Sequence, residues 1–292
     1  MSQEDPTIVV TPIDSVSFMG GAGIVATHAA GLGAKVTLLS LKGKDDSGEL
    51  AEKLLVEEGV EFYFVEDSNR PTTLKKRFRS KGKSLLRVSQ LSQFTISDSQ
   101  QDEIYSRLES IIDSLDLIVF SDFNYGCLPQ KLVDRIISLA KTNNILLAAD
   151  SQSSSQTGDI SRFKGMDILT PTEREARIAT NNREDGLVTL AERLREKSDC
   201  KNLLLKLGEE GLLVHSPVNT EWLTDTITTL NSYPRDVSGA GDSLLITSSL
   251  SFSSGGNIWE SSLLGSLAAA IQVSRVGNSP LKLEELILEL DS

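Results

Sequence analysis

Residues 236–243 read DVSGAGDS. The stretch follows a loop-like NSYPR and runs into the apolar LLITSSLSF. Two readings are open. A turn followed by a helix cap is the plain one, because Gly accepts a tight turn and Asp and Ser are good N-caps. The other is an anion hole at the mouth of a buried helix. The first N–H groups of a helix have no intrahelical acceptor, and the dipole adds roughly half a positive charge there. Gly239, Ala240 and Gly241 are small enough for an anion to reach that backbone. Such a hole suits a transferring phosphoryl group. Asp242 would be repelled by phosphate if it were merely structural. It fits as a base that takes the proton from an attacking hydroxyl, and a positioned base contributes about 10²–10⁴-fold to rate.

Upstream, apolar runs alternate with helical patterns. AGIVATHAAGLGA (22–34) reads as a buried helix, VTLLS (36–40) as a strand, GELAEKLLVEEGV (48–60) as an amphipathic helix and EFYFV (61–65) as a strand. Two more charged segments, 72–80 and 84–88, read as a strand pair around a Lys-Gly-Lys turn. The alternation then resumes: a helix over about 98–113, the strand DLIVFSD, a helix from Pro129, the strands ILLAAD and MDILTP, and the helix TEREARIAT. NLLLKLG and GLLVHS are strands separated by Gly-Glu-Glu-Gly, and the tail holds two apolar helices and a short acidic one. Near-continuous apolar strands between helices predict a mostly parallel sheet covered on both faces, in a three-layer α/β/α domain spanning 1–292. The polar region 61–90, together with 7–10, is expected to form a small β-lid outside that sheet. SQSSSQTGD (151–159) follows a strand; it is either a ligand loop beyond the sheet's carboxyl end or a solvated serine loop.

The 292 residues carry a net charge of −12, which argues against a nucleic-acid or anionic-membrane partner. Cys127 and Cys200 are far apart and in no metal-like spacing, and no apolar run approaches the roughly 20 residues that cross a bilayer. A reducing cytoplasm is the expected compartment. His28 is read as a core histidine, His215 as a surface residue, and Trp222 and Trp259 as packing residues. The opening MSQEDPTIVVTP is polar, then briefly strand-like, with no buried apolar strand before Thr7. Either the domain opens unusually or its first strand lies outside this sequence.

DVSGAGDS resembles the C-terminal D-T-x-G-A-G-D signature of ribokinase-like (PfkB-type) carbohydrate kinases. Other segments agree in order: MGGAG (19–23), GKDDSG (43–48), TPTERE (170–175) and KLGEEG (206–211). Within the family, RPTTLKKR, LLRV, SDFNYG and SRFKGMDILTP most resemble the kinase domain of ADP-heptose synthases, which phosphorylates a heptose 7-phosphate at its anomeric hydroxyl. The resemblance implies a ribokinase-like fold and an ATP-dependent kinase of a sugar or sugar phosphate using Mg²⁺. By the same resemblance Asp242 is the catalytic base, and Gly239, Ala240 and Gly241 hold the phosphoryl group. Glu175 acts through water on Mg²⁺, which prefers to keep its waters. Lys206, Gly208, Gly211, Ser266 and Thr172 lie on the nucleotide side, and Gly20, Gly21, Arg77, Arg87 and Asp150 on the sugar side. A homodimer through the lid is a further partnership open to the chain. The other lid cations, Lys75 among them, are read as a solvated edge that blocks strand pairing. Several positions depart from the pattern: Ile24 replaces a sugar-binding asparagine, Thr172 an asparagine, Gln152 a lysine, Tyr125 a lysine, Lys206 a threonine and Ser266 an asparagine. These departures keep two alternatives open: a non-catalytic module of a bifunctional nucleotide-sugar enzyme, and a nucleoside kinase.

Overall fold

The computed structural model describes residues 9–80, 83–153 and 158–291. The first βαβ unit follows from the sequence alone. β1 (Thr37–Lys42) leads into α2 (Asp46–Glu57), whose N-terminus is capped by the Asp45 side chain accepting from Gly48 N. The helix stops at Gly59, which takes φ +70°, and the chain returns as β2 (Glu61–Glu66), parallel to β1. Residues 61–66 therefore belong to a parallel pair and not to the lid, correcting the expectation. A short apolar strand after a helix returns beside the strand before it. The expected strand at 7–10 is also corrected where it can be described. Val9 and Val10 are exposed and lie in no strand; Thr7 and Ile8 fall outside the described residues.

The main sheet has six strands in the order β10-β9-β8-β7-β6-β5. β5 (Leu117–Asp122), β6 (Leu146–Ser151), β7 (Ile168–Leu169) and β8 (Asn202–Lys206) run parallel; β9 (Leu212–Val218) and β10 (Glu221–Ile227) are antiparallel additions. Side chains alternate across it as the pleat requires. Leu147, Ala149, Leu203 and Leu205 pack with α3 (Asp98–Glu109), α4 (Gln130–Thr142), α5 (Glu173–Thr180) and α6 (Leu187–Ser198). Ala148 and Leu204 face the other way, onto α1 (Ala22–Gly31), α7 (Ala240–Ser253) and α8 (Ile258–Val273). These are the two helical layers of the expected three-layer fold. Among the described residues, β1 and β5 each have a ladder partner on one side only.

β3 (Leu74–Ser80) and β4 (Lys83–Gln90) pair with each other, antiparallel and off the main sheet, with a bulge at Phe78/Arg79. Two elements went unread in the sequence. α6 turns Leu190, Ala191 and Leu194 inward, and β10 is a mostly exposed strand whose polar residues mask its pattern. β10 also explains why His215 is buried, against expectation: it covers β9, and Trp222 stacks on the imidazole at 5.1 Å. His28 is buried as expected, and Leu281 N donates to its Nδ1 at 3.0 Å. The short helix α9 (Leu283–Leu290) closes the chain against α8 through Leu286.

Candidate active site

Gly239 ends the loop before α7 with φ +82°, a conformation that suits glycine, and a Cβ there would lie 2.8 Å from Asn278 Oδ1. With Ala240 N donating to Val237 O at 3.5 Å, the first turn of α7 borders a large cavity of about 2710 Å³. Gly239, Ala240, Gly241 and Asp242 all line it. The Asp242 carboxyl is buried and its Oδ1 accepts from Gln152 Nε2 at 3.0 Å. Burial first, and then the neighbouring Asp150 carboxylate, push its pKa up to about 7. Asp242 thus sits near the midpoint of its titration at neutral pH, where a general base is most effective.

The strand ends supply the rest. β8 delivers Lys206, whose Nζ donates to Asp150 Oδ2 at 2.9 Å. A Cβ built on Gly241 would lie only 3.2 Å from that ammonium, so Lys206 reaches the mouth of α7. Burial pushes the Asp150 carboxyl up to about 6, against the pull of Lys206. Burial disfavours the Lys206 charge too, but Asp150 and Glu175 outweigh it and hold its pKa above the ordinary value. Glu175 is the third residue of α5 and completes a capping box with Thr172. Its two oxygens accept from Ser153 N at 2.9 Å and Thr172 N at 2.8 Å. The carboxylate is fixed in place and faces the cavity, and it fits a hydrated cation held through water better than direct ligation. Among the described residues, no group of three acidic, His or Cys side chains gathers to hold a metal.

Gly208 and Gly211 flank the turn after β8; Gly211 has φ +102°, and a Cβ there would lie 2.1 Å from Ile227 O. Ser266 on α8 lines the same cavity with its Oγ buried and, among the described residues, without a hydrogen-bond partner. Gly20 and Gly21 enter it from the start of α1, and Phe123 lies 3.6 Å from where a Gly21 Cβ would be. Arg77 and Arg87 line it from the lid and stand directly opposite each other across β3 and β4. Every site residue singled out in the sequence lines this cavity except Asp150, which lies off the wall and grips Lys206. Residues 154–157 of the serine loop lie outside the described residues.

Three contacts were not foreseen. Lys75 sits over the Phe123 and Tyr125 rings at 5.5 and 5.2 Å. It shares the period-2 face of Arg77, a signal that was available in the sequence. Gln152 touches Asp242, which follows only from the folded sheet. Arg79 pairs with Asp236 at 2.7 Å, tying the lid to the first residue of DVSGAGDS.

Residues 3–285 match the pfkB family carbohydrate kinase. The chain is 30% identical over 283 residues to the bifunctional protein HldE of Helicobacter hepaticus, covering 96% of this chain and 57% of that protein. To its counterpart from Nitratiruptor sp. it is 27% identical over 289 residues, covering 98% and 60%. The chain thus spans about 60% of the length of these curated relatives. In fold it is similar to phosphofructokinase-2 from Escherichia coli (TM-score 0.75, 18% identity, 92% of this chain and 85% of that one). It is similar also to ribokinase from Thermotoga maritima (TM-score 0.74, 21% identity, 99% and 93%).

Proposed function

The chain belongs to the pfkB family of carbohydrate kinases, and on that premise we propose that it transfers the γ-phosphoryl group of ATP to a hydroxyl of a sugar phosphate, with a heptose phosphate as the model acceptor. One observation carries the reading: the Asp242 carboxyl is buried at the N-terminus of α7, on the wall of the cavity that Lys206 and Ser266 also line. In the proposed reaction Asp242 takes the proton of the acceptor hydroxyl. The hydroxyl oxygen bonds to the γ-phosphorus as the bond from that phosphorus to the β–γ bridging oxygen breaks, and ADP leaves. The N–H groups of Gly241 and Asp242 in the first turn of α7 stabilise the charge on the transferring group. Gln152 orients the base. Mg²⁺, when bound with the nucleotide, supplies charge neutralisation on the phosphates, and Glu175 is placed to hold its waters.

Arg77 and Arg87 support a phosphorylated acceptor. Like charges directly opposite each other on a hairpin repel. A phosphate between them would offset that repulsion and form charge-assisted hydrogen bonds. Gly20 and Gly21 leave room for the sugar to approach the backbone. In this reading the protein works in the cytoplasm, and no described helix is long and apolar enough to cross a membrane. The test is ADP release in the presence of ATP and Mg²⁺ across a panel of sugars, sugar phosphates and nucleosides. Release dependent on a sugar phosphate is expected. Release dependent only on nucleosides would shift the acceptor class. Absence of nucleotide binding at millimolar concentration would favour a non-catalytic module.

A further inference from the structure

Three carboxylates, those of Asp150, Glu175 and Asp242, act on one ammonium, that of Lys206. Each of the three is already engaged. Glu175 accepts two backbone N–H groups, Asp242 accepts from Gln152, and Asp150 accepts from Lys206. The pair is layered: the Asp150 side chain is 2% exposed and lies beneath, while Lys206 is 13% exposed and lines the cavity. An ammonium has three N–H donors. Among the described residues, Asp150 is the one acceptor that Lys206 has, so two donors remain for an anion. The ammonium lies against the first turn of α7, where a Cβ on Gly241 would crowd it at 3.2 Å. A fixed positive charge and the helix dipole therefore converge on one spot.

We propose that Lys206 is the resident cation of this site, held by Asp150 at the mouth of α7 so that nucleotide phosphates bind there without a divalent metal ion. The inference rests on the kinase reading above and adds to it a specific property, metal-independent nucleotide binding. A buried ion pair serving stability alone has no need to present its ammonium to a cavity.

The test is titration calorimetry with ADP, in EDTA and in Mg²⁺, alongside melting curves. Wild type should bind ADP in EDTA with an affinity within about tenfold of that in Mg²⁺. Lys206→Met should lose about 10- to 100-fold in EDTA, the size of a charge-assisted hydrogen bond, and less in Mg²⁺. Because this variant leaves Asp150 buried and unpaired, Asp150→Asn is the second probe. Asn keeps an acceptor oxygen for the ammonium and removes the competing charge, so binding in EDTA should hold or tighten. Wild type that binds only with Mg²⁺ would overturn the inference and leave the kinase reading standing. So would a folded Lys206→Met with unchanged affinity in EDTA, or an Asp150→Asn that binds more weakly. Wild type that binds ADP under neither condition would overturn both.

Discussion

At the scale of single residues, the Asp242 carboxyl ties chemistry to stability. Its pKa is pushed from the ordinary carboxylate range up to about 7, by burial first and by Asp150 second. The folded protein therefore binds a proton there that the unfolded chain releases near pH 4. Between pH 4 and 7 the folded state carries more protons, so this group's contribution to stability falls as pH rises. Asp242→Asn removes that slope. Melting temperatures measured from pH 5 to 8 should decline less with pH in the variant than in wild type, and identical slopes would show that Asp242 is not held in its neutral form. In the proposed role as base, activity has the opposite sign, because only the ionised carboxylate accepts a proton: kcat/KM should rise with pH through about 7. The place of Asp242 at the mouth of a buried helix was legible in the sequence because its signature depends on backbone geometry and small residues. Gln152 was legible only as a departure from a pattern. Its contact with Asp242 joins residues 90 positions apart and required the fold.

At the scale of elements, the proposed function gives the β3–β4 hairpin the task of selecting the acceptor. It carries Lys75, Arg77 and Arg87 to the cavity and is fastened to the 236–243 loop by Arg79 and Asp236. Arg87→Ala should therefore raise KM for a phosphorylated acceptor by about tenfold or more, the loss of a charge-assisted hydrogen bond, and leave KM for ATP nearly unchanged. Equal effects on both substrates would mean that the lid acts on the whole site and not on the acceptor phosphate. The hairpin was legible because its strands differ in character from the buried ones. β2 was misassigned to it because EFYFV lies next to it in sequence, and strand pairing is decided by the preceding helix and not by adjacency. β10 was missed for a related reason. An edge strand with one solvated face reads as loop, and without it the burial of His215 had no visible cause.

At the scale of the whole molecule, the parallel sheet is what makes one site from scattered strings. The segments at 19–23, 170–175, 206–211 and 236–243 lie far apart in sequence and all contribute residues to the wall of one cavity. Open α/β sheets gather ligands beyond the carboxyl ends of their strands, and β6 and β8 place Gln152 and Lys206 there. The layers were predictable from apolar runs, but strand order and the Lys206–Asp150 pair were not, since neither leaves a periodic mark. The central claim is that this cavity transfers phosphoryl groups with Asp242 as base. It is tested most directly by sugar-phosphate-dependent ADP release in wild type and Asp242→Asn, both shown to be folded and to bind nucleotide. Turnover should fall by about 10²–10⁴-fold in the variant with ATP affinity retained, because Asn keeps the shape and capping ability of Asp but cannot take the proton. Equal turnover in the two proteins would contradict the assignment and reduce DVSGAGDS to a turn with a helix cap.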